Sequence, residues 1–215
     1  MNEPPVSPLS ADEAITVRLL ASVLPPVGLR AVVQQVLPHC DYLHVHLQNP
    51  DIELNDRWLQ DPRVSLFTRE PYAASTIADG YCIQVCDTHS YPSEYIATMV
   101  QAIERWNRKA IVGLGGILML HPDSEWQLHT RDPLPHDMPV HILYSCALAY
   151  HAGVIQVPEF RFEGVDTALW AQRHKLPEIA IKRSKNWVTH RSPLPERLPT
   201  TGPAEHRCNW QLFAG

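Results

Sequence analysis

Apolar residues fall into short β-branched runs, separated by stretches in which they recur at helical spacing. "ITVRLLASV" (15–23) predicts a buried strand, and "VGLRAVVQQVL" (27–37) carries the period of a helix. "DYLHVHL" (41–47) and "RVSLF" (63–67) predict a second and a third strand, and "YCIQV" (81–85) a fourth. A helix is expected over "SEYIATMVQAIERWN" (93–107), with Tyr95, Ile96, Met99, Val100 and Ile103 on its apolar face and Ser93 as N-cap. "KAIVGL" and "GILML" (109–120) predict two more strands, followed by a loop rich in His, Asp and Pro (121–138). "PVHILYSCALAY" (139–150) predicts one strand, "VDTALWAQRHK" (165–175) a helix and "EIAIKR" (178–183) the last strand. Strands alternating with helices indicate an α/β domain, its sheet largely parallel with short antiparallel additions. In such sheets ligands bind outside the carboxyl ends of the strands.

The turn after the fourth strand is where that rule meets chemistry. On an alternating strand Cys82, Gln84 and Cys86 share one face, and Ile83, Val85 and Asp87 the other. Asp87 is therefore expected where the apolar row reaches its solvent edge. A carboxylate there suits a divalent cation held against a phosphate, and equally a turn aspartate accepting backbone N–H bonds. His89, two residues on, reads as a ligand or as a loop imidazole. His44 and His46 lie on one strand face in metal-capable geometry, but no third ligand follows at useful spacing, which points to a structural role. "GLGG" (113–116) is too short for a dinucleotide fingerprint and reads as a bend between strands. Lys182, Arg183, Lys185 and Arg191 flank Trp187, a cluster able to neutralise a diphosphate or to solvate the end of the domain. Asp166 opens a helix, where the dipole favours a carboxylate in any case.

Composition narrows the class. With 45% hydrophobic and 19% charged residues, the 215-residue chain is ordinary for a globular protein, and its net charge of −5 argues against nucleic acid as a partner. No apolar run reaches the length of a membrane span, and "MNEPPVSPLSADEA" has neither the basic start nor the apolar stretch of a secretory signal. Five cysteines, odd in number and without a CxxC pair, read as reduced thiols of a cytoplasmic protein. Prolines concentrate at the ends. Residues 1–12 read as a flexible tail, 13–190 as the folded domain and 191–215 as a Pro-rich arm. The arm closes on "CNWQLFAG", which suits docking on the domain or contact with a partner protein or membrane side.

The ordered segments "SYPSEYIATMVQAIERWNRKAIVGLGGIL", "PVHILYSCALAYH" and "VDTALWAQRHKLPEIAIKRSKNWV" resemble small bacterial glycosyltransferases of the GT-A fold. These are family-2-like proteins of capsule and lipopolysaccharide clusters, hence of polysaccharide biosynthesis. The resemblance covers roughly residues 15–190, its best-matched positions including Tyr91, Pro92, Tyr95, Arg108, His141, Tyr150, Asp166, Arg183 and Trp187. It implies a single GT-A-like domain, with a mostly parallel central sheet flanked by helices. It also implies a nucleotide-diphosphate sugar as donor, a glycan hydroxyl as acceptor, and Mn²⁺ or Mg²⁺ bridging the donor phosphates to an acidic turn. Asp87 would then sit by the metal and phosphates, with His89, Lys182 and Arg183 as phosphate partners and Asp166 as the base that deprotonates the acceptor. The implied location is cytoplasmic, at the periphery of the inner membrane.

The departures from that family fall in the site. Where relatives carry three consecutive acids, this chain reads Cys86-Asp87-Thr88. "SVLPPVGLR" replaces a serine-proline-arginine arrangement, and "REPYAASTIADG" lacks the Gly-Asp and Lys of the donor site. The alternative that follows is a catalytically inactive, glycosyltransferase-like binding or scaffold module in a glycan assembly system.

Overall fold

The computed structural model describes residues 13–21, 27–47, 54–68, 79–114, 117–120, 126–129, 137–140, 147–155, 171, 174–181 and 189–190. β1 (Ile15–Ala21), β2 (Tyr42–Leu47), β3 (Val64–Thr68) and β4 (Tyr81–Cys86) form one half of an eight-stranded sheet. β6 (Ile111–Gly113), β9 (Met138–Val140), β10 (Leu148–His151) and β11 (Glu178–Ala180) complete it in the order β3-β2-β1-β4-β10-β6-β11-β9. β10 and β9 run against the other six, so the sheet is mostly parallel with antiparallel additions. With α1 (Val27–Val36) and α2 (Tyr95–Arg105) flanking it, this is the expected α/β class with a mostly parallel central sheet. A second sheet, β5-β12-β7-β8, joins β5 (His89–Ser90), β7 (Ile117–Leu120), β8 (Trp126–His129) and β12 (Thr189–His190).

The register separates two unlike faces. Val17, Leu19, Leu43, Val45, Ile83, Val85, Val112, Ala149 and Ile179 share one face and pack with Leu29, Val32, Val33 and Val36 of α1. α2 adds Tyr95, Ile96, Met99, Val100, Ala102 and Ile103, the stripe its sequence predicts plus Ala102. Each large member contributes about 1.5–3 kcal/mol of burial. The other face carries Thr16 and Arg18, His44 and His46, Cys82 and Gln84, Tyr150 and Glu178, all but His44 fully buried. Polar residues on a covered face are the exception that needs a cause.

Several expectations are corrected. The run 139–150 is not one strand. β9 lies at the sheet edge, and β10 inserts antiparallel between β4 and β6. A continuous apolar run carries no mark of where a chain changes neighbours. β8 occupies part of the expected loop 121–138, and "GLGG" separates strands of different sheets. Ser93 does not cap α2. Its hydroxyl bonds the Glu94 carboxylate at 3.0 Å, and Glu94 takes the cap position without a side-chain cap bond. The chain enters α2 through Tyr95 N–H donating to the Pro92 carbonyl, so the backbone turn starts the helix without a hydroxyl. The helix expected over 165–175 lies outside the described residues except for Ala171, which is helical, and the turn at His174 and Lys175. Lys175 has φ 53°, and Leu176 N–H returns to the Ala171 carbonyl, as chains do where a helix ends. The tails 1–12 and 191–215 lie outside the described residues. Among the described residues no helix is long and apolar enough to cross a membrane.

The amino edge of the sheet is tied by charge. Asn107 (φ 51°) and Arg108 (φ 63°) turn the chain back at the end of α2. Arg108 then donates to Glu104 at 2.7 Å and to Glu13 at 2.8 Å, and Glu13 also meets His151 Nε2 at 3.3 Å. Burial works to raise the Glu13 carboxyl, but its bonds to Arg108 and His151 outweigh this and hold it below the usual range. Gly80 enters β4 beside this network at φ 85°, and an added Cβ would collide with the Ala14 carbonyl. That carbonyl accepts from Tyr81 N–H, and the Gly80 carbonyl accepts from Ala152 N–H at 2.8 Å, so neither backbone can yield. Gly80→Ala is expected to destabilise the chain by about 1–3 kcal/mol, read as a lower urea midpoint at unchanged slope.

Candidate functional site

Strand order singles out one place on the carboxyl edge. From β1 the chain moves through α1 to β2 and β3 on one side, then returns to place β4 on the other side of β1. The connections therefore diverge between the carboxyl ends of β1 and β4, the usual ligand position in open α/β sheets. Asp87 follows β4 there, its N–H donating to the Leu20 carbonyl at 3.0 Å. It does not reach the solvent edge that alternation predicts, being only 3% exposed. The second sheet begins where the first ends, since β4 runs on to β5, β6 to β7 and β11 towards β12. Asp87 and Thr88 are the joint between the two sheets, which is why the end of the strand is covered.

The joint is held from two helices. The Tyr91 hydroxyl accepts from Cys86 N–H at 2.7 Å, and the Tyr95 hydroxyl donates to the Gln84 carbonyl at 3.2 Å. The two rings pack at 4.8 Å between centroids. From α1, the Gln35 amide donates to Ser90 Oγ at 3.2 Å and accepts from Tyr91 N–H at 3.2 Å. His89 is buried, with Nδ1 2.7 Å from Thr88 Oγ1, and lies opposite His190 across the β5–β12 pair. Gln35 and Thr88 were not singled out in the sequence. A glutamine on an amphipathic helix carries no signal of its destination, because its partners lie 55 and 56 residues away.

Asp87 and His89 are thus placed together at the switch point. Asp166, Lys182 and Arg183 lie outside the described residues, Lys182 and Arg183 in the segment that joins β11 to β12. A divalent cation of the kind the family resemblance implies needs several hard oxygen ligands. The turn offers one carboxylate flanked by a thiol and a hydroxyl, and among the described residues no group of three His, Cys, Asp or Glu is placed to hold a metal. Among the described residues the donors at this turn do not make up a set for a protein-held Mn²⁺ or Mg²⁺.

His44 and His46 share one face as their spacing predicts, and both pack on Phe67, at 5.1 and 4.8 Å between ring centroids. Burial, reinforced by the nearby Arg18 guanidinium, pushes His44 down to about 4 and His46 to about 3. Their setting is an aromatic stack beside a cation, which disfavours a second positive charge.

No family model matches the chain, and no curated protein sequence matches it. Among solved structures it is similar to a crystal structure of 4-diphosphocytidyl-2C-methyl-D-erythritol synthase, at 12% identity and a TM-score of 0.45. That match covers 92% of this chain and 99% of the other. A likeness at that level bears on neither site nor activity, and the placement of Asp87 rests on the chain's own strand order.

Two outcomes follow from this geometry. Tyr91→Phe is expected to cost about 1 kcal/mol and to speed hydrogen exchange at the Cys86 amide, measured by denaturant titration and exchange. The two histidines stay neutral in the folded chain down to about pH 4 and 3, but the unfolded chain protonates them near 6.5. The unfolded state binds more protons inside that window, so their contribution is intact above pH 6.5 and is lost as pH falls towards 4. Urea midpoints across that range are expected to drop on acidification, less steeply in His46→Gln.

Proposed function

We propose that the protein binds a nucleotide-diphosphate sugar at the carboxyl edge of β1 and β4 and transfers the sugar to a glycan hydroxyl. The observation that carries the reading is a buried carboxylate, Asp87, at the point where the strand order reverses. The ordered segments shared with GT-A glycosyltransferases support it. In this reading Asp87 accepts hydrogen bonds from hydroxyls of the donor. His89, Lys182 and Arg183 balance the diphosphate charge without a metal ion, and Asp166 takes the proton of the acceptor hydroxyl. A cytoplasmic location and a partner-protein contact through residues 191–215 belong to the same reading.

A second reading, a catalytically inactive module that binds nucleotide sugar without turning it over, is favoured by the Cys86-Asp87-Thr88 turn. There only one of the family's three acids remains. The two readings share a binding step and differ in chemistry.

Calorimetric titration with UDP-, GDP- and CMP-sugars is expected to find one donor that binds as well in EDTA as in Mn²⁺. Asp87→Ala should weaken that binding roughly tenfold or more, the loss of a charge-assisted hydrogen bond. Turnover by the wild type that is abolished in Asp166→Ala would select the transferase. Binding without turnover would select the module. Binding by no donor, or binding unchanged in Asp87→Ala, would remove both.

A further inference from the structure

The second face of the sheet holds a cluster that the carboxyl-edge site does not use. Arg18 lies in the middle of β1, paired in register with His44 on β2 and with Gln84 on β4. Adjacent strands stand about 4.8 Å apart, so the three side chains rise side by side. Arg18 and Gln84 have no exposed surface. A guanidinium never gives up its charge, and five N–H groups need acceptors. Here Nη1 reaches the Tyr150 hydroxyl at a long 3.5 Å, while Nε and Nη2 meet no acceptor. Both ends of the Gln84 side-chain amide and His44 Nδ1 are likewise buried without a partner.

Burying an unpaired charge costs several kcal/mol, and chains do not keep such a group without a counterpart. Among the described residues no carboxylate pairs with Arg18. Glu178, the acid on this face, stands four strand positions away in the sheet order, about 19 Å. The remaining neighbours are donors or neutral. Burial first, then the adjacent Cys82 thiol, hold the Tyr150 hydroxyl protonated far above its usual range. His44 is kept neutral by burial and by Arg18 itself, with a ring nitrogen able to donate. A buried cation with two N–H groups unpartnered and, among the described residues, no acid paired with it is complementary to an oxyanion.

We propose that Arg18, Gln84 and His44 form a buried oxyanion site that takes a phosphate group, with the guanidinium as its charge partner. The site is separate from the one at the carboxyl edge. Arg18 points to the face opposite Val17 and Leu19, and it lies two residues, about 7 Å, before the Leu20 carbonyl that binds Asp87. The phosphate is either free in solution or part of a nucleotide, and the test separates the two.

Thermal melts of the full chain would compare inorganic phosphate, sodium chloride at matched ionic strength, and UDP. Phosphate at ten times its dissociation constant is expected to raise the wild-type midpoint by about 3–6 °C over chloride. The rise should vanish in Arg18→Met and shrink in Gln84→Leu. In chloride alone Arg18→Met should be at least as stable as wild type, because it removes an uncompensated charge. A UDP-induced rise that Arg18→Met reduces assigns the phosphate to a nucleotide. A phosphate rise without that UDP effect assigns it to the free ion. Equal midpoints in phosphate and chloride would overturn the site, as would a phosphate effect that survives Arg18→Met. An Arg18→Met chain that fails to fold in chloride would overturn it too, showing that the guanidinium already has its counterpart within the chain. None of these outcomes depends on sugar binding at Asp87.

Discussion

The parallel pairing of β1 with β2 on one side and β4 on the other is the constraint from which the rest follows. It runs in unbroken register from Thr16 to Ala21 against β2 and from Ile15 to Leu20 against β4. Because pairing has period two, this one register decides which side chains face α1 and α2 and which face the polar side. It also places the reversal of strand order between the carboxyl ends of β1 and β4, and so fixes where Asp87 stands. A slip of one residue would turn Arg18 into the helix-covered layer and Leu19 onto the polar face.

The two faces do different work. The helix-covered face is apolar throughout and supplies cohesion, with Met99, Ile103, Val17, Leu19, Ile83 and Val85 all without exposed surface. The opposite face combines buried polar groups, His46, Arg18 and Gln84 among them, with a second apolar cluster that includes Ile111, Leu148, Tyr150 and Ala180. Charge is likewise divided between the sheet edges. The amino edge is closed by the Arg108, Glu104 and Glu13 network, whose members satisfy one another. The carboxyl edge passes directly into a second sheet, so Asp87 is covered by chain.

The resemblance to GT-A glycosyltransferases is strongest in the elements that build the scaffold and weakest in the turn that would hold a metal. Tyr91 and Tyr95 fasten that turn through hydroxyl bonds to the backbone. The turn itself, Cys86-Asp87-Thr88, brings a thiol, a carboxylate and a hydroxyl to the end of β4.

Local pattern alone determined the α/β class, the positions of β1 to β4, the apolar stripe of α2 and the face shared by His44 and His46. Each is a matter of period two or 3.6 within a few residues, which side chains impose on their own backbone. Tertiary structure alone decided that the run 139–150 divides between a sheet edge and an antiparallel insertion next to β4. It also decided that Gln35 holds β5, that Asp87 is buried at a joint between sheets, and that Arg18 pairs with no acid among the described residues. These depend on which strand lies beside which, and lateral order is set by contacts between residues far apart in the chain, where periodicity carries no information.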